Sequence, residues 1–266
     1  MSKVVLITGG SSGIGKSIGE FLTDKDFKVY GTSRNPKRYS NSKFPIIALD
    51  VNAPETITTA ISEILKIENT IDVVINNAGV GITGPIEEIP NDQIQHNFDT
   101  NVFGPINVIK AVLPQMRKQN NGLIINITSI AGYMGLPYRG VYSASKGALE
   151  LLTEAFRMEL KDFNIKMTTI APGDFATNIA AGRFHAAVNP NSPYTKYKAV
   201  LNDIDEHVDN SGDPIEVAKK VYQVINTKNP KVHYKVGAFM QKFSVVLKRI
   251  LPDTMYEKLL LNHYKL

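Results

Sequence analysis

The chain has 266 residues, of which 43% are hydrophobic and 21% are charged, and its formal net charge is +5. This length and balance indicate one soluble globular domain with a large core, and they argue against a disordered or fibrous protein. Because the chain has no cysteine, disulfides and thiolate metal sites are excluded. We expect no metal site of another kind.

The basic charge balance and the apolar segments narrow the range of partners. The lysines are scattered rather than gathered in one dense run, so we expect no nucleic-acid partner, and a bound anion accounts for part of the positive charge. No stretch approaches the roughly 18 uninterrupted apolar residues of a membrane-spanning helix. The first residues lead directly into a predicted strand and leave no room for a signal peptide, so we expect a cytoplasmic protein.

The N-terminal segment has the pattern of a strand, a glycine turn and a helix. Residues 3–8 form a short apolar run rich in β-branched side chains, which is typical of a buried parallel strand. The sequence Gly9-Gly10-Ser11-Ser12-Gly13-Ile14-Gly15 follows, and an apolar stripe at helical spacing begins there. Glycines let a pyrophosphate approach the backbone, and a helix N-terminus favours its negative charge. The segment therefore predicts a dinucleotide site, although its Gly-x3-Gly-x-Gly spacing differs from the commoner Gly-x-Gly-x-x-Gly.

Strand-like and helical segments alternate along the rest of the chain. Further strands are predicted at 28–32, 46–50, 71–76, 122–128, 165–170 and 231–236. Helices are predicted at 55–67, 96–118 and 142–162, and Pro105 and Pro114 are positioned to kink or split the second of these. This alternation predicts an α/β fold, a Rossmann-type doubly wound parallel sheet of about seven strands flanked by helices.

The end of the second predicted strand bears on the choice of cofactor. It reads Val29-Tyr30-Gly31-Thr32-Ser33-Arg34, and no acidic residue occurs between residues 27 and 49. In such a sheet an acid at this position binds the ribose 2′-hydroxyl of NAD, whereas a basic residue neutralises the 2′-phosphate of NADP. Arg34 can hold a phosphate through its forked donors, and Ser33 can add a hydroxyl. We therefore predict NADP (NADPH) as the cofactor rather than NAD.

The predicted helix 142–162 opens with the sequence Tyr-Ser-Ala-Ser-Lys. Tyr142 and Lys146 are four residues apart and share one helix face. An ammonium group beside a phenol favours loss of the phenolic proton, so such a tyrosine can exchange a proton with an alcohol or a ketone near neutral pH. Ser129 follows the strand 122–128 and can bond the same substrate oxygen. Taken singly, each of these residues also fits an ordinary surface pair or turn.

Together these segments resemble the short-chain dehydrogenase/reductase family in its shorter, single-domain form. The matching motifs occur in the family's order between residues 3 and about 177. They are Thr8-Gly9-x3-Gly13-Ile14-Gly15, Asp50-Val51, Asn76-Asn77-Ala78-Gly79, Asn101, Ser129, Tyr142-x3-Lys146 and Pro172-Gly173. The resemblance implies the strand order 3-2-1-4-5-6-7 and an oxidoreductase that interconverts a hydrophobic alcohol and its ketone or aldehyde.

The resemblance also implies roles for the matching positions. Tyr142 is the expected acid/base, Lys146 favours ionisation of the phenol and binds the nicotinamide ribose, and Ser129 holds the substrate oxygen. Asn101 is expected to support a water chain from the lysine to solvent. Besides Tyr142 and Lys146, the expected cofactor contacts are Gly9, Ser11, Gly13, Ile14, Gly15, Ser33, Arg34, Asp50, Val51, Asn77, Ala78, Gly79, Pro172, Gly173 and Thr177. The expected substrate pocket is mostly apolar, and its candidate residues are Val80, Ile82, Ile130, Tyr133, Met134, Tyr138 and Phe175.

Two segments of the single predicted domain, 1–266, fall outside the regular alternation. Residues 174–213 contain two prolines and several aromatic residues, and we expect an irregular lid over the substrate pocket. Residues 237–266 form an amphipathic tail, with an apolar stripe beside basic side chains. Ordinary packing is favoured for this tail, but it can also cover the pocket, contact another subunit or lie on a membrane surface.

Other functions remain open at this point. One is a regulator that binds NADP(H) without turnover, although the chain retains the family's full catalytic set. Another is a peripheral-membrane enzyme that reduces lipid ketones. Members of the family are commonly dimers or tetramers, so by analogy we expect a homo-oligomer.

Overall fold

The fold is built on one parallel sheet. The computed structural model describes residues 2–175, 182–209 and 212–266, with the backbone alone for 205–209. The strands are β1 (Val4–Ile7), β2 (Lys28–Ser33), β3 (Ile46–Ala48), β4 (Val73–Asn76), β5 (Gly122–Ile127), β6 (Ile165–Pro172) and β7 (His233–Val236). All seven are parallel, in the order β3-β2-β1-β4-β5-β6-β7. The predicted doubly wound sheet and its strand order are confirmed.

Helices connect and flank the strands. They are α1 (Gly13–Thr23), α2 (Pro54–Glu68), α3 (Asn91–Phe98), α4 (Gly104–Gln119), α5 (Gly140–Glu159), α6 (Tyr197–Asp209), α7 (Ile215–Ile225), α8 (Phe239–Ile250) and α9 (Asp253–His263). The single helix expected at 96–118 is divided into α3 and α4 by a π-helical segment, Asp99–Phe103. Pro105 lies in the first turn of α4, just after the π-helical segment, and Pro114 lies inside α4.

The sheet is covered on both faces because its central strands are apolar throughout. In β1, Val5 and Ile7 pack in a cluster with side chains of α1 and α7. Val4 and Leu6 pack in a second cluster with side chains of α2 and α4. Successive side chains of a strand point to opposite faces, so each cluster receives alternate residues. The resulting three layers leave the C-terminal ends of the strands, and the loops after them, at one edge where ligands bind in such folds.

The segment 174–213 is more regular than expected. The expectation of irregular structure is wrong for α6, where Tyr197, Val200 and Ile204 are buried at helical spacing. The prolines and aromatic residues before this helix obscured that pattern. Upstream of α6, Phe184–His185 pairs in parallel with Ile82–Thr83. A small cluster beside α5 results, and a lid function for this segment stays a prediction.

The C-terminal tail forms the C-terminal helix pair, α8 and α9, which packs beside the end of β5. Val245 of α8 and Tyr256 of α9 are buried in one cluster with Ile130 and Met134. Within the described ranges, no helix has the length and apolar character needed to cross a bilayer. The tail therefore covers the region next to Ser129, one of the alternatives that the sequence left open.

Candidate active site

The loop after β1 is held by the loop after β4. The hydroxyl of Thr8 accepts hydrogen bonds from the backbone N–H groups of Asn77 (3.0 Å) and Ala78 (3.1 Å). The side-chain amide of Asn77 donates to the carbonyls of Thr8 (3.0 Å) and Gly9 (3.1 Å). The two loops meet because β1 and β4 are neighbours in the sheet.

Two glycines let α1 begin directly behind this loop. Gly13 has a φ of 51°, in the left-handed region that favours glycine. A Cβ at Gly15 would lie 2.4 Å from the carbonyl oxygen of Gly9 and 2.4 Å from Nδ2 of Asn77. Ser12, the N-cap of α1, makes no side-chain cap hydrogen bond. The first N–H groups of α1 are therefore available to an anion, as a bound pyrophosphate requires.

A cavity of about 390 Å³, the cofactor groove, extends from this loop to the ends of β2 and β3. Many of the expected cofactor contacts line it: Gly9, Ser11, Gly13, Ile14, Ser33, Arg34, Asp50, Val51, Asn77, Ala78 and Gly79. Arg34 is exposed immediately after β2. Side chains that the sequence did not single out also line the groove, because no local pattern marks them: Thr32, Tyr39, Leu49, Asn52, His96 and Thr100.

Other expected cofactor contacts lie elsewhere. Gly15 lies behind the loop that follows β1 and does not line the cofactor groove. It therefore acts on a cofactor only through the shape of that loop. Thr177 lies outside the described residues.

A second cavity of about 70 Å³, the catalytic cavity, brings the expected catalytic side chains together. Ser129, Tyr142 and Lys146 all line it, as do Pro172 and Gly173 at the end of β6. It shares four residues with the cofactor groove: Ile14, Asn77, Gly79 and Val80. The catalytic cavity is thus continuous with the wall of the groove.

The lysine of the Tyr-x3-Lys motif is buried and held by β5. Its Nζ donates a hydrogen bond to the carbonyl of Ile127 (3.1 Å) and lies 6.0 Å from the centre of the Tyr142 ring. Burial lowers the pKa of Lys146, whereas the charges of Tyr142 and Glu150 act in the opposite direction. An ammonium group at this position therefore faces the phenol from within the protein.

Ser129, which follows β5, and Arg139, the N-cap of α5, line the catalytic cavity together with Tyr142. Ser129 is the N-cap of the short 3₁₀ turn Ile130–Tyr133, and its hydroxyl accepts a hydrogen bond from the N–H of Ala131 (3.2 Å). The guanidinium of Arg139 lies 5.7 Å from the centre of the Tyr142 ring and lines the catalytic cavity. Arg139, which no motif in the sequence marks, adds a second positive charge beside the phenol.

Asn101 lies in the π-helical segment and is completely buried. Its Oδ1 accepts from the N–H of Val80 (2.9 Å), and its Nδ2 donates to the carbonyl of Val80 (2.9 Å) and to the hydroxyl of Ser145 (3.2 Å). A Cβ at Gly79 would lie 3.0 Å from Oδ1 of Asn101 and 3.3 Å from Nζ of Lys146. Asn101 is therefore close to the lysine, with Gly79 between them.

A buried carboxylate that no motif in the sequence marks, Glu150, lies on α5. Glu150 accepts hydrogen bonds from the hydroxyls of Thr128 and Thr169, the second at 2.7 Å. The imidazole Nδ1 of His233 lies 2.6 Å from Oε2 of Glu150. The hydrogen bond to Glu150 raises the pKa of His233, and burial opposes this. Because Thr128 precedes Ser129, this network holds the strand end that presents the serine.

A third cavity of about 420 Å³, the tail cavity, lies between the catalytic cavity and the C-terminal helix pair. It shares Ser129, Arg139, Gly173 and Asp174 with the catalytic cavity. Most of its other wall residues are apolar: Ile130, Ala131, Met134, Leu136, Met240, Leu247, Tyr256, Leu259 and Leu260. A long apolar group can therefore extend from Ser129 towards α8 and α9.

The inner end of the tail cavity is polar. The Nε2 of Gln241 donates to Oδ2 of Asp174 (2.8 Å), while the Oε1 of Gln241 is buried and has no hydrogen-bond partner among the described residues. Carboxylate and amide oxygens both accept hydrogen bonds. Asp174 and Gln241 therefore offer acceptors to a ligand group that donates hydrogen bonds, beside the donors Ser129 and Arg139 at the same end.

The expected pocket residues are divided among several places. Ile130 and Met134 line the tail cavity, Phe175 lines the catalytic cavity, and Val80 lines both this cavity and the groove. The other three line none of these cavities, which corrects their assignment. Ile82 and Tyr138 pack in the cluster with α6, and Tyr133 contacts His233 edge-on with ring centres 6.2 Å apart.

Known proteins resemble this chain over nearly its whole length. The family model for short chain dehydrogenase matches residues 3–187. A 3-ketodihydrosphingosine reductase of Bacteroides thetaiotaomicron is 37% identical over 257 residues, covering 96% of this chain and 95% of that protein. An NADPH-dependent 3-dehydrocapnine reductase of Ornithobacterium rhinotracheale is 30% identical, covering 99% and 98% respectively. The crystal structure of a short-chain dehydrogenase from Streptomyces avermitilis has a TM-score of 0.81 at 29% identity, covering 97% of each chain.

Proposed function

We propose that this chain, which belongs to the short-chain dehydrogenase family, is an NADP(H)-dependent oxidoreductase. The proposed reaction interconverts a hydrophobic alcohol and its ketone or aldehyde. The family and enzyme class expected from the motifs are confirmed by the match over residues 3–187. One observation carries the proposal: Ser129, Tyr142 and Lys146 line a single cavity beside the cofactor groove.

The proposed reduction divides the chemistry between three side chains. The hydroxyl of Ser129 donates a hydrogen bond to the carbonyl oxygen of the substrate and orients it. When bound, the nicotinamide supplies the hydride that the carbonyl carbon accepts. The phenol of Tyr142 donates its proton to the carbonyl oxygen, which gives the alcohol, and Lys146 stabilises the tyrosinate that remains. Asn101 supports the water chain through which that proton is replaced.

The proposed preference for NADP(H) rests on the end of β2. Arg34 and Ser33 line the cofactor groove there, and the next acidic residue of the chain is Asp50, after β3. An arginine neutralises a 2′-phosphate, whereas no carboxylate is available in this stretch to bind a ribose 2′-hydroxyl. The relative from Ornithobacterium rhinotracheale, named as NADPH-dependent, supports the same choice.

The proposed substrate is a ketone with a long apolar chain. The tail cavity, at about 420 Å³, has the volume of a small-molecule site, roughly 300–1,000 Å³. Its apolar wall suits the apolar chain of the substrate, and the acceptors of Asp174 and Gln241 suit a hydrogen-bond donor near the ketone group. A relative named for the reduction of 3-ketodihydrosphingosine supports this class of substrate.

We also propose a homo-dimer or homo-tetramer. Leu151 and Met158 are among the most exposed apolar side chains of the described residues, and they lie seven positions apart on α5. Their spacing places them on one helix face, and a large apolar side chain there is stabilised when a second copy covers it. Analytical ultracentrifugation of Leu151→Glu tests this, because a buried charge would dissociate the oligomer.

The decisive experiment measures NADPH oxidation with ketones of increasing chain length. Tyr142→Phe deletes only the hydroxyl, so turnover should fall by about 10²-fold or more. The dissociation constant of NADPH should stay within about twofold of the wild-type value. Loss of a charge-assisted hydrogen bond to the cofactor would instead raise that constant by roughly tenfold. Tyr138→Phe is a matched control, because Tyr138 lines none of the three cavities. Near-normal turnover by Tyr142→Phe would refute the proton-transfer role. Tight NADPH binding without turnover of any ketone would indicate a regulator instead.

A further inference from the structure

The outer side of α8 is apolar although no described residue covers it. Phe239 is 72% exposed and Ile250 is 68% exposed, and Phe243 and Val246 are also exposed. These four positions recur at the spacing of a single helix face. Val245, on another side of the helix, packs into the protein together with the partly buried Leu247. Thus α8 has one buried apolar face and a second, solvent-facing apolar stripe.

Further exposed apolar side chains lie on α9. More than half of the large exposed apolar side chains of the described residues lie between positions 239 and 261. We call this set the outer face: Phe239, Met240, Phe243, Val246, Ile250, Met255, Leu259 and Leu261. Single exposed apolar residues are ordinary, but a concentration of this kind marks an interaction surface.

Basic side chains accompany the stripe on α8. The helix contains no acidic residue, and it carries Lys242, Lys248 and Arg249. Lys248 is paired with Asp253 at 2.6 Å. Lys242 and Arg249 form no ion pair with a carboxylate among the described residues, and both are exposed next to the stripe. The stripe on α8 therefore combines apolar side chains with positive charge. Over both helices the basic residues Lys242, Lys248, Arg249 and Lys258 outnumber the acidic residues Asp253 and Glu257.

The tail cavity opens through this outer face. Met240 is 66% exposed and Leu259 is 47% exposed, and both line the tail cavity. A side chain that borders a cavity and also faces solvent marks the opening of that cavity. Since Ser129 lies at the inner end, the cavity leads from the outer face to the catalytic cavity.

We propose that the C-terminal helix pair docks on a membrane surface with anionic headgroups, and that a long-chain substrate enters the tail cavity from that membrane. Helices of this composition lie in the interface with the apolar side chains among the acyl chains and the basic ones at the headgroups. The docking stands on the outer face alone. Only the identity of the entering molecule rests on the proposed function.

Charge favours a membrane over a second copy of this chain. A two-fold contact brings the same patch of both copies together. Along α8 it would bring Lys242 and Arg249 near their own counterparts, with no acid on that helix to compensate. Anionic headgroups provide the opposite charge instead.

The experiment is flotation of the full chain with vesicles, in the absence of NADPH and substrate. The wild type should float with mixed phosphatidylcholine and phosphatidylglycerol, and less so at high salt. Lys242→Glu with Arg249→Glu should raise the lipid concentration for half-binding by about 25-fold or more, about fivefold for each lost basic residue. Phe239→Ser with Ile250→Ser should raise it by about tenfold or more through lost apolar insertion.

Matched controls test whether the loss of vesicle binding is specific to the outer face or follows from changing any exposed apolar or basic residues. Ile67→Ser with Ile86→Ser alters two exposed isoleucines elsewhere, and Lys66→Glu with Lys219→Glu alters two exposed lysines elsewhere. The isoleucine pair should leave vesicle binding unchanged, and the lysine pair should change it less than about fivefold.

The outcomes distinguish the docking from the enzyme function. Failure of the wild type to float with anionic vesicles would overturn the docking and leave the oxidoreductase proposal untouched. Dissociation of an oligomer by Phe239→Ser with Ile250→Ser, without flotation of the wild type, would show that a second copy covers the outer face. If docking holds, this double variant should lose turnover of a long-chain ketone held in vesicles and keep turnover of a short, water-soluble ketone.

Discussion

Replacing His233 by leucine is expected to destabilise the protein by an amount that depends on pH. The imidazole lies 2.6 Å from Glu150 and 2.9 Å from Glu154. The hydrogen bond to Glu150 raises the pKa of His233, burial opposes it, and the charges of both glutamates add to the increase. The folded state therefore binds the proton of His233 more tightly than the unfolded chain does.

The size of the effect follows from the burial of Glu150, which is only 4% exposed. Removing one partner of a buried pair costs about 3–5 kcal/mol because an uncompensated charge remains. The hydroxyls of Thr128 and Thr169 still donate to Glu150 in the variant, so we expect the lower end of this range, about 3 kcal/mol.

The sign of the pH dependence follows from the direction of the pKa shift. The stabilisation is fully present below the pKa of an unfolded histidine, about 6.5, and is lost as the pH rises through the raised value of the folded state. Above that value His233 is neutral in the wild type, and the cost of His233→Leu should fall to that of a hydrogen bond between a neutral imidazole and a carboxylate, about 1.5 kcal/mol.

Urea unfolding of the wild type and His233→Leu at about pH 6 and about pH 9, on either side of the titration, measures this difference. Glu154→Gln is the control: its side chain is 47% exposed, so the cost should be about 1 kcal/mol or less. A free energy difference for His233→Leu that is the same at both pH values would refute the reasoning. It would show that the imidazole stabilises the network without its charge.

Three further predictions concern the cofactor groove and the tail cavity. Arg34→Ala should raise the dissociation constant of NADPH about tenfold or more, since charge-assisted hydrogen bonds contribute about 1.5–3 kcal/mol. An equal increase in the dissociation constant of NADH, measured by the same titration, would contradict the 2′-phosphate contact. Gly15→Ala should lower both the Tm and the affinity for NADPH, because the added Cβ would lie 2.4 Å from the carbonyl oxygen of Gly9; unchanged values in thermal unfolding and calorimetry would contradict this. Leu247→Trp should fill part of the tail cavity and raise KM for a long-chain ketone but not for a short one. Equal shifts of the steady-state KM for both ketones would show that the apolar chain of the substrate binds outside the tail cavity.

Local patterns in the sequence were sufficient for most of the sheet and for the catalytic motif. The strands, the glycine turn and the pairing of Tyr142 with Lys146 follow from short-range signals, namely apolar runs, glycine spacing and the periodicity of a helix. The order of the strands was implied only by the resemblance to the family, and the structure has that order. The helix expected at 96–118 was also found, and it is divided by a π-helical segment shortly before Pro105, one of the two prolines expected to kink or split it.

Long-range packing determined what those patterns missed. Glu150 and His233 are ordinary polar residues in the sequence, and only the pairing of β6 with β7 and the position of α5 bring them together. Likewise, the apolar periodicity of α6 was obscured by the prolines and aromatic residues before it, so its burial against the small cluster beside α5 was not foreseen.

The sequence by itself determined the class of fold and the chemical groups of the site, because hydrophobic period, glycine geometry and side-chain chemistry are properties of neighbouring residues. The tertiary structure alone decided where the tail lies, that its helices enclose a cavity leading to Ser129, and which of its two apolar faces remains outside. An amphipathic helix specifies that an apolar face must be covered, but which surface covers it depends on shapes and charges supplied by segments far away in the chain.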